Sequence, residues 1–308
     1  MAPRVSTDVD DALAVLRAGG LVAIPTETVY GLAADASDEA AVRRIFAAKG
    51  RPADHPLIVH VADADQLPRW AAHVPPAAAT LAAACWPGPL TVLVPRADHV
   101  LDVVTGGRPA VGVRVPAHPL TTELLHRFGG GLAAPSANRF GRVSPTTAAH
   151  VVRDLGDVPG GVDLVLDGGP CPVGVESTIV DCTVVPAQVL RPGGIPTEQV
   201  ERLLAGAVAP ASGPSRASGM LASHYAPACP VLLADSVDAA RVIAGREANP
   251  LVIGDTDDLV GYAQQLYDLL RRADDEGRSA VVAVMPPAAG LGHAIRDRLL
   301  KASADRAG

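Results

Sequence analysis

Lysine is almost missing from this 308-residue chain: of 26 Lys and Arg together, Lys49 and Lys301 alone are lysine. Where arginine is used nearly everywhere, a lysine raises the question of whether a compact ammonium is required at that place. Aromatics make up 3% of the chain. With the heavy use of Ala, Gly, Pro and Arg, that scarcity reads as a high-GC coding bias rather than a functional signal. The four cysteines, Cys85, Cys171, Cys182 and Cys229, form no C-x-x-C pair, and no Cys/His spacing fits zinc. Buried reduced thiols are expected. No uninterrupted apolar run reaches the ~18 residues of a membrane span. The stretch Met1 to Asp11 carries three aspartates and no apolar segment, which argues against a signal peptide. A cytoplasmic protein without membrane contact is expected. A basic excess is missing too: net charge is −7 and the pI about 5.7. No global field exists to hold nucleic acid, so no strong direct nucleic-acid binding is expected, and any phosphate must be gripped by a local cluster.

What is present is a patchwork of short apolar strands and amphipathic helices. Thr7 caps a first helix whose inner stripe is Val9, Leu13 and Leu16, with Asp10 at the capping-box position and Gly19-Gly20 as its stop. Strands are expected at 21–24, 57–61, 90–94, 111–115, 132–134, 162–167 and 177–181. Helices are expected from Ser37 to Lys49 and at 76–85, 121–128 and 146–155. The first 204 residues therefore read as one α/β domain with a twisted mixed sheet and flanking helices. Residues 205–230 are rich in Ala, Gly, Pro and Ser and read as a linker, with a lid as its suggested role. Residues 231–308 alternate strand and helix three times and read as a small Rossmann-like parallel α/β domain. That domain has no G-x-G-x-x-G and is not read as a dinucleotide site.

The densest chemistry is Pro25-Thr26-Glu27-Thr28-Val29-Tyr30-Gly31-Leu32, followed by Lys49-Gly50-Arg51-Pro52. An apolar strand there enters a turn crowded with hydroxyls, and a helix then ends in two cations. Lys49 and Arg51 either complement the helix dipole or grip a polyphosphate. His55 and His60 bracket a strand; five residues apart in a strand they face opposite ways, which argues against a shared metal. Arg114, framed by valines, needs a partner: a structural salt bridge or a substrate carboxylate. Ser136 and Asn138 offer donors and acceptors after the turn Gly129-Gly130-Gly131. Ser144-Pro145-Thr146 is either an ordinary cap or an anion-binding helix start. Ser177 opens a strand, Arg191 ends one, and Tyr225 lies in the Pro-rich linker, where a packing anchor is the usual role. No Ser-His-Asp order and no Walker A motif stand out. An α/β protein suited to an anionic ligand is what the residues support by themselves.

Taken together, these segments resemble the YrdC-like family in its two-domain form. The matching pieces, in order, are P-T-E-T-V-Y-G-L (25–32), A-K-G-R-P (48–52), P-L-I-V-H (56–60), W-P-G-P-L-T (86–91) and V-R-V-P (113–116). A-P-S-A-N (134–138), S-P-T (144–146), E-S-T-I-V-D (176–181), L-R-P-G (190–193) and H-Y-A-P (224–227) follow. The resemblance implies a nucleotidyltransferase that converts ATP, L-threonine and bicarbonate into L-threonylcarbamoyl-adenylate and pyrophosphate. The product would pass to a tRNA threonylcarbamoyl transferase complex for modification beside the anticodon. Carried over by motif position, Thr28, His60, Arg114, Ser136 and Ser177 hold threonine. Arg51, His55, Asn138, Ser144 or Thr146, Arg191 and Tyr225 hold ATP, and Lys49 stabilises the polyphosphate beside Arg51. No metal-binding residues are implied; Mg²⁺ arrives with ATP. Two positions depart from the family pattern: His55 stands where many relatives carry Asn, and Ala110 where a hydroxyl residue often contacts ATP. Two alternatives are an RNA-binding module, against which the acidic pI argues, and a carbamoyl transferase of hydrogenase maturation, which needs accessory zinc and acylphosphatase modules.

Overall fold

The computed structural model describes residues 3–206, 208–212, 216–220, 224–254 and 256–304. Ser223, in the linker, lies outside the described residues. Strands run in chain order β1 (Arg4–Ser6), β2 (Val22–Ile24), β3 (Gly31–Asp35), β4 (Ile58–His60), β5 (Leu90–Pro95), β6 (Ala110–Arg114), β7 (Leu132–Ala133), β8 (Leu164–Leu166), β9 (Thr178–Asp181), β10 (Gln188–Arg191), β11 (Ala209–Pro210), β12 (Val231–Ala234), β13 (Pro250–Ile253) and β14 (Ala280–Val284). Eleven of them form one mixed sheet in the order β1-β8-β2-β3-β7-β4-β6-β5-β9-β10-β11. Parallel pairs such as β4–β6 and β5–β9 alternate with antiparallel pairs such as β2–β3 and β5–β6. The expected mixed α/β sheet is therefore present.

Local chemistry explains the element that carries the two early cations. The helix Glu39–Lys49 starts where the Asp38 carboxylate accepts from the amides of Ala40 and Ala41, at 2.9 and 3.1 Å. It ends at Gly50 with φ +63°, a left-handed conformation that glycine adopts without Cβ strain. The reversal sends Arg51 back over the helix end, with its amide on the Phe46 carbonyl at 2.9 Å. The first helix, Val9–Arg17, buries Val9, Leu13 and Leu16 as expected, but Asp8 caps it, not Thr7. A carboxylate one residue closer reaches the Asp10 amide at 2.8 Å. His55 lies before β4 rather than in it, so the opposite-face argument does not apply to the pair.

A second, three-stranded parallel sheet, β12-β14-β13, forms the C-terminal unit. Strand alternation divides its faces. Val282 and Val284 pack with Ala240 of the helix Val237–Ala244. Val281 and Ala283 pack with the helices Leu259–Asp275 and Gly292–Ser303. The second cluster also takes in Val29, Val143, Val175 and Tyr225. The C-terminal unit thus shares a core with the residues around the first unit's cleft. The intervening segment contains the short edge strand β11, paired parallel with β10. No helix among the described residues is long and apolar enough to cross a membrane.

Candidate functional site

A pocket opens where the β2–β3 turn, the end of the helix Glu39–Lys49 and the C-terminal ends of β4 and β6 converge. Its wall includes Thr28, Lys49, Arg51, His60, Arg114, Ser136, Asn138, Ser177, Arg191 and Tyr225. His55, Ser144 and Thr146 do not line it. His55 packs edge-on against Phe140, a wall residue, with ring centroids 5.3 Å apart. The Ser144 hydroxyl donates to the Glu176 carboxylate at 2.6 Å, and Thr146 sits 3.3 Å from the His150 ring nitrogen.

The amino-acid-sized end of the pocket is built on the sheet. His60 and Arg114 are register partners on the parallel strands β4 and β6, so the ladder sets them side by side. Arg114 donates from Nε to the Gly88 carbonyl at 3.2 Å and forms an ion pair with Glu27 at 2.7 Å. Burial, then the neighbouring Arg114 charge, pushes the His60 pKa down to about 3, so the ring is neutral at physiological pH. Its Nδ1 has no hydrogen-bond partner among the described residues. Thr28 shares a 2.8 Å hydroxyl contact with Thr26, which donates to the Val29 carbonyl at 2.6 Å.

The other end is cationic. Lys49 is buried and donates to the carbonyls of Ser136 and Asn138 at 2.5 and 2.6 Å. Burial, and then Arg51, drive its pKa well below the ordinary lysine value. Arg51 donates to the Pro56 carbonyl and the Ser218 hydroxyl at 3.0 and 3.1 Å and lies over the Phe140 ring. Burial lowers its pKa to about 10. Arg191 donates to the Ser177 carbonyl (2.8 Å) and hydroxyl (3.1 Å) and to the Ser218 carbonyl (3.2 Å). Three buried cations with few countercharges make a ready anion site.

The remaining wall comes from the linker: Ser218, Gly219, His224 and Tyr225. Tyr225 takes φ +63°, rare for a residue with a Cβ, and stacks on Tyr267 at 5.7 Å. Gly219 has φ +80°, and a Cβ there would lie 2.5 Å from the Tyr225 hydroxyl. Behind Tyr225, Glu176 accepts from Ser144 at 2.6 Å, Tyr267 at 2.8 Å and Arg298 at 2.7 Å. Burial alone would raise the Glu176 pKa; the Arg298 and Arg191 charges and these hydrogen bonds outweigh it and hold it at about 2.

Comparison with known proteins decides what this architecture is. Residues 14–193 match the Sua5–YciO–YrdC family model, described as "Telomere recombination", and residues 195–304 match "Threonylcarbamoyl-AMP synthase, C-terminal domain". The chain belongs to the threonylcarbamoyl-AMP synthase family. It is 40% identical to the threonylcarbamoyl-AMP synthase of Pyrococcus abyssi, across 96% of this chain and 94% of that one. It is 39% identical to that of Bacillus subtilis, across 96% and 92%. A crystal structure of P. abyssi Sua5 complexed with L-threonine superposes with a TM-score of 0.91, at 38% identity over 98% of this chain and 97% of that one.

For this member of the family, sequence reasoning missed several residues at or behind the wall. Thr26, Phe140, Ser218 and His224 line the pocket, and Glu27 and Arg298 stand behind it. Thr26 and Glu27 lie in the quoted hydroxyl-rich turn, and His224 in the quoted H-Y-A-P run, so a signal was present. Ser218 and Arg298 carried none. The acidic groups at the pocket, Glu176 in its lining and Glu27 behind it, are each engaged by an arginine. Among the described residues no group of three or more His, Cys, Asp or Glu is placed to hold a metal ion.

Proposed function

We infer that this chain joins ATP, L-threonine and bicarbonate into L-threonylcarbamoyl-adenylate and pyrophosphate. One observation carries the reading: a sheet-borne arginine beside a neutral histidine, suited to an amino acid, shares a pocket with three buried cations suited to a triphosphate. The threonine complex of the P. abyssi relative supports it. The two ends meet at the 3.1 Å contact of Arg191 with Ser177. Arg114 takes the threonine carboxylate, with Thr28, His60, Ser136 and Ser177 around the amine and side chain. Arg51, Arg191, Asn138 and Tyr225 face ATP. His55 acts through Phe140 and Ser144 through Glu176; Thr146 is tied to His150 behind the wall. Lys49 fixes the Ser136–Asn138 loop while adding charge beside the phosphates. Magnesium belongs to the substrate as MgATP, held by phosphates and water.

Bicarbonate takes up a proton and loses water to give carbon dioxide; the threonine amine attacks its carbon and loses a proton, giving a carbamate. A carbamate oxygen then attacks the α-phosphorus in line, and the bond to the bridging oxygen breaks as pyrophosphate leaves with its electron pair. Such a transfer needs positioning and charge neutralisation rather than a covalent nucleophile. The carbamate is labile in water, so closure by the linker, which already supplies Ser218 and Tyr225 to the wall, protects it. The product passes, in the cytoplasm, to a tRNA threonylcarbamoyl transferase complex. Pyrophosphate release from ATP, measured with and without threonine and bicarbonate, tests the reading. Release that needs both supports it, and equal release without threonine overturns it.

A further inference from the structure

Thr26 and Thr28 line the pocket, whereas Glu27 between them does not. Its carboxylate turns away, at 9% side-chain exposure, and meets Arg114 from behind. Oε2 accepts from the Ala117 amide at 3.0 Å, which fixes the carboxylate to the segment just after β6. The Glu27 backbone is fixed as well, its carbonyl accepting from the Val173 amide at 2.8 Å. Oε1 then lies 2.7 Å from an Arg114 terminal nitrogen. That contact is electrostatic and off-axis: neither atom completes a well-angled hydrogen bond within the described residues. Arg114 Nε is occupied by the Gly88 carbonyl. The guanidinium is therefore gripped at two points, Nε and the buried Nη2, while Nη1 remains available to a second carboxylate.

We propose that Glu27 is a positioning residue: it holds the Arg114 guanidinium in the orientation that receives the amino-acid carboxylate, without touching substrate. The proposal rests on the assignment of the threonine carboxylate to Arg114. It makes a prediction opposite to simple charge repulsion. If Glu27 merely competed with the substrate for Arg114, removing its charge would tighten threonine binding. As a positioner, its removal frees the guanidinium to rotate and weakens binding. Glutamine there also turns an amide donor toward an arginine donor.

The test is calorimetric titration of L-threonine into the full chain, with KM for threonine and for ATP from pyrophosphate release. Glu27→Gln should weaken threonine by about tenfold, the scale of one charge-assisted contact, and leave KM for ATP within about twofold. Glu27→Asp keeps the charge but withdraws it by one methylene; a loss of about threefold, again confined to threonine, is expected, and this variant serves if the glutamine form does not fold. Arg114→Gln should weaken threonine by about a hundredfold, and adding Glu27→Gln to it should weaken it no further. Tighter or unchanged threonine binding in both Glu27 variants overturns the positioning role, as does a parallel rise in both KM values. Arg114→Gln that still binds threonine normally overturns the carboxylate assignment and this proposal with it.

Discussion

The pocket has two kinds of wall. The wall carrying His60 and Arg114 is part of the sheet: β4 and β6 are paired by main-chain hydrogen bonds, so their side chains are placed by the ladder. The wall carrying Ser218, Gly219, His224 and Tyr225 sits outside any strand and is placed by side chains reaching across the fold. Lys301 donates to the Gly219 carbonyl at 2.6 Å, Arg191 to the Ser218 carbonyl at 3.2 Å, and the Arg298 guanidinium lies 5.0 Å from the Tyr225 ring. A ladder tolerates loss of any one side chain. A wall hung from a few buried cations does not, and those cations come largely from the C-terminal helix Gly292–Ser303.

Arg298→Ala should break this comparison most visibly. Arg298 is fully buried, and its Nε is 2.7 Å from Glu176. Removing it strands a buried carboxylate, and the expected loss is about 3–5 kcal/mol of stability, read by denaturant unfolding. Pairing Arg298→Met with Glu176→Gln should recover most of that loss, because no unpaired charge then remains. If Arg298→Ala unfolds at the same denaturant concentration as the unchanged chain, the linker wall is held by something else.

On the other side, Lys49→Met keeps length and removes the donor that ties Ser136 and Asn138. A fall in kcat/KM on the order of a hundredfold is expected, the effect of removing one preorganised electrostatic contact. Burial and Arg51 hold the Lys49 pKa well below the ordinary lysine value, and a polyphosphate beside it acts in the opposite sense. A Lys49→Met variant whose kcat/KM stays within about twofold of the unchanged chain would remove Lys49 from the phosphate site.

Acid should act on both walls together. His60 and His224 are held neutral with pKa values of about 3, and His150 at about 4, in each case chiefly by burial. The unfolded chain takes up these protons near the ordinary value of 6.5, so it binds more protons than the folded chain between about 6.5 and 3–4. Stability therefore falls as pH drops through that window. Glu176, at about 2 against an ordinary 4.5, adds a further loss as pH falls from 4.5 toward 2. A denaturant midpoint that is flat from pH 7 to 5 would contradict the burial of these imidazoles.

The two walls also differ in how far the sequence reveals them. The ladder-built wall was legible because its signals are local: β-branched runs mark β5 and β6, and Lys49-Gly50-Arg51 announces a helix end. In the C-terminal unit, periodicity located each element to within a few residues. β3 escaped notice because Gly-Leu-Ala-Ala-Asp carries no strand-forming bias; its neighbours β2 and β7 make it a strand. β1, which is largely exposed, and the helix Thr197–Leu203 escaped for the same lack of an apolar pattern. The hung wall was nearly illegible. Glu176 and Arg298 are 122 positions apart, and nothing local to either announces the other. Ser144 was carried over as a nucleotide contact from the S-P-T motif, and its tie to Glu176 across 32 positions has no local signal.

The smallest expected effect sharpens the contrast best, because it separates placement from stability. Ser218 donates to the Pro56 carbonyl at 2.8 Å and accepts from Arg51 at 3.1 Å. It thereby couples the linker to the phosphate-side arginine through one hydroxyl. Ser218→Ala removes both bonds but strands no charge, since Arg51 keeps the Pro56 carbonyl at 3.0 Å and its place over Phe140. Stability should fall by about 1 kcal/mol or less. KM for ATP should rise about three- to tenfold, because the linker loses its register on Arg51, while KM for threonine stays within about twofold. Equal rises in both would mean that the linker closes over the pocket as a whole, and no rise in either would mean that Arg51 is placed by the sheet side alone.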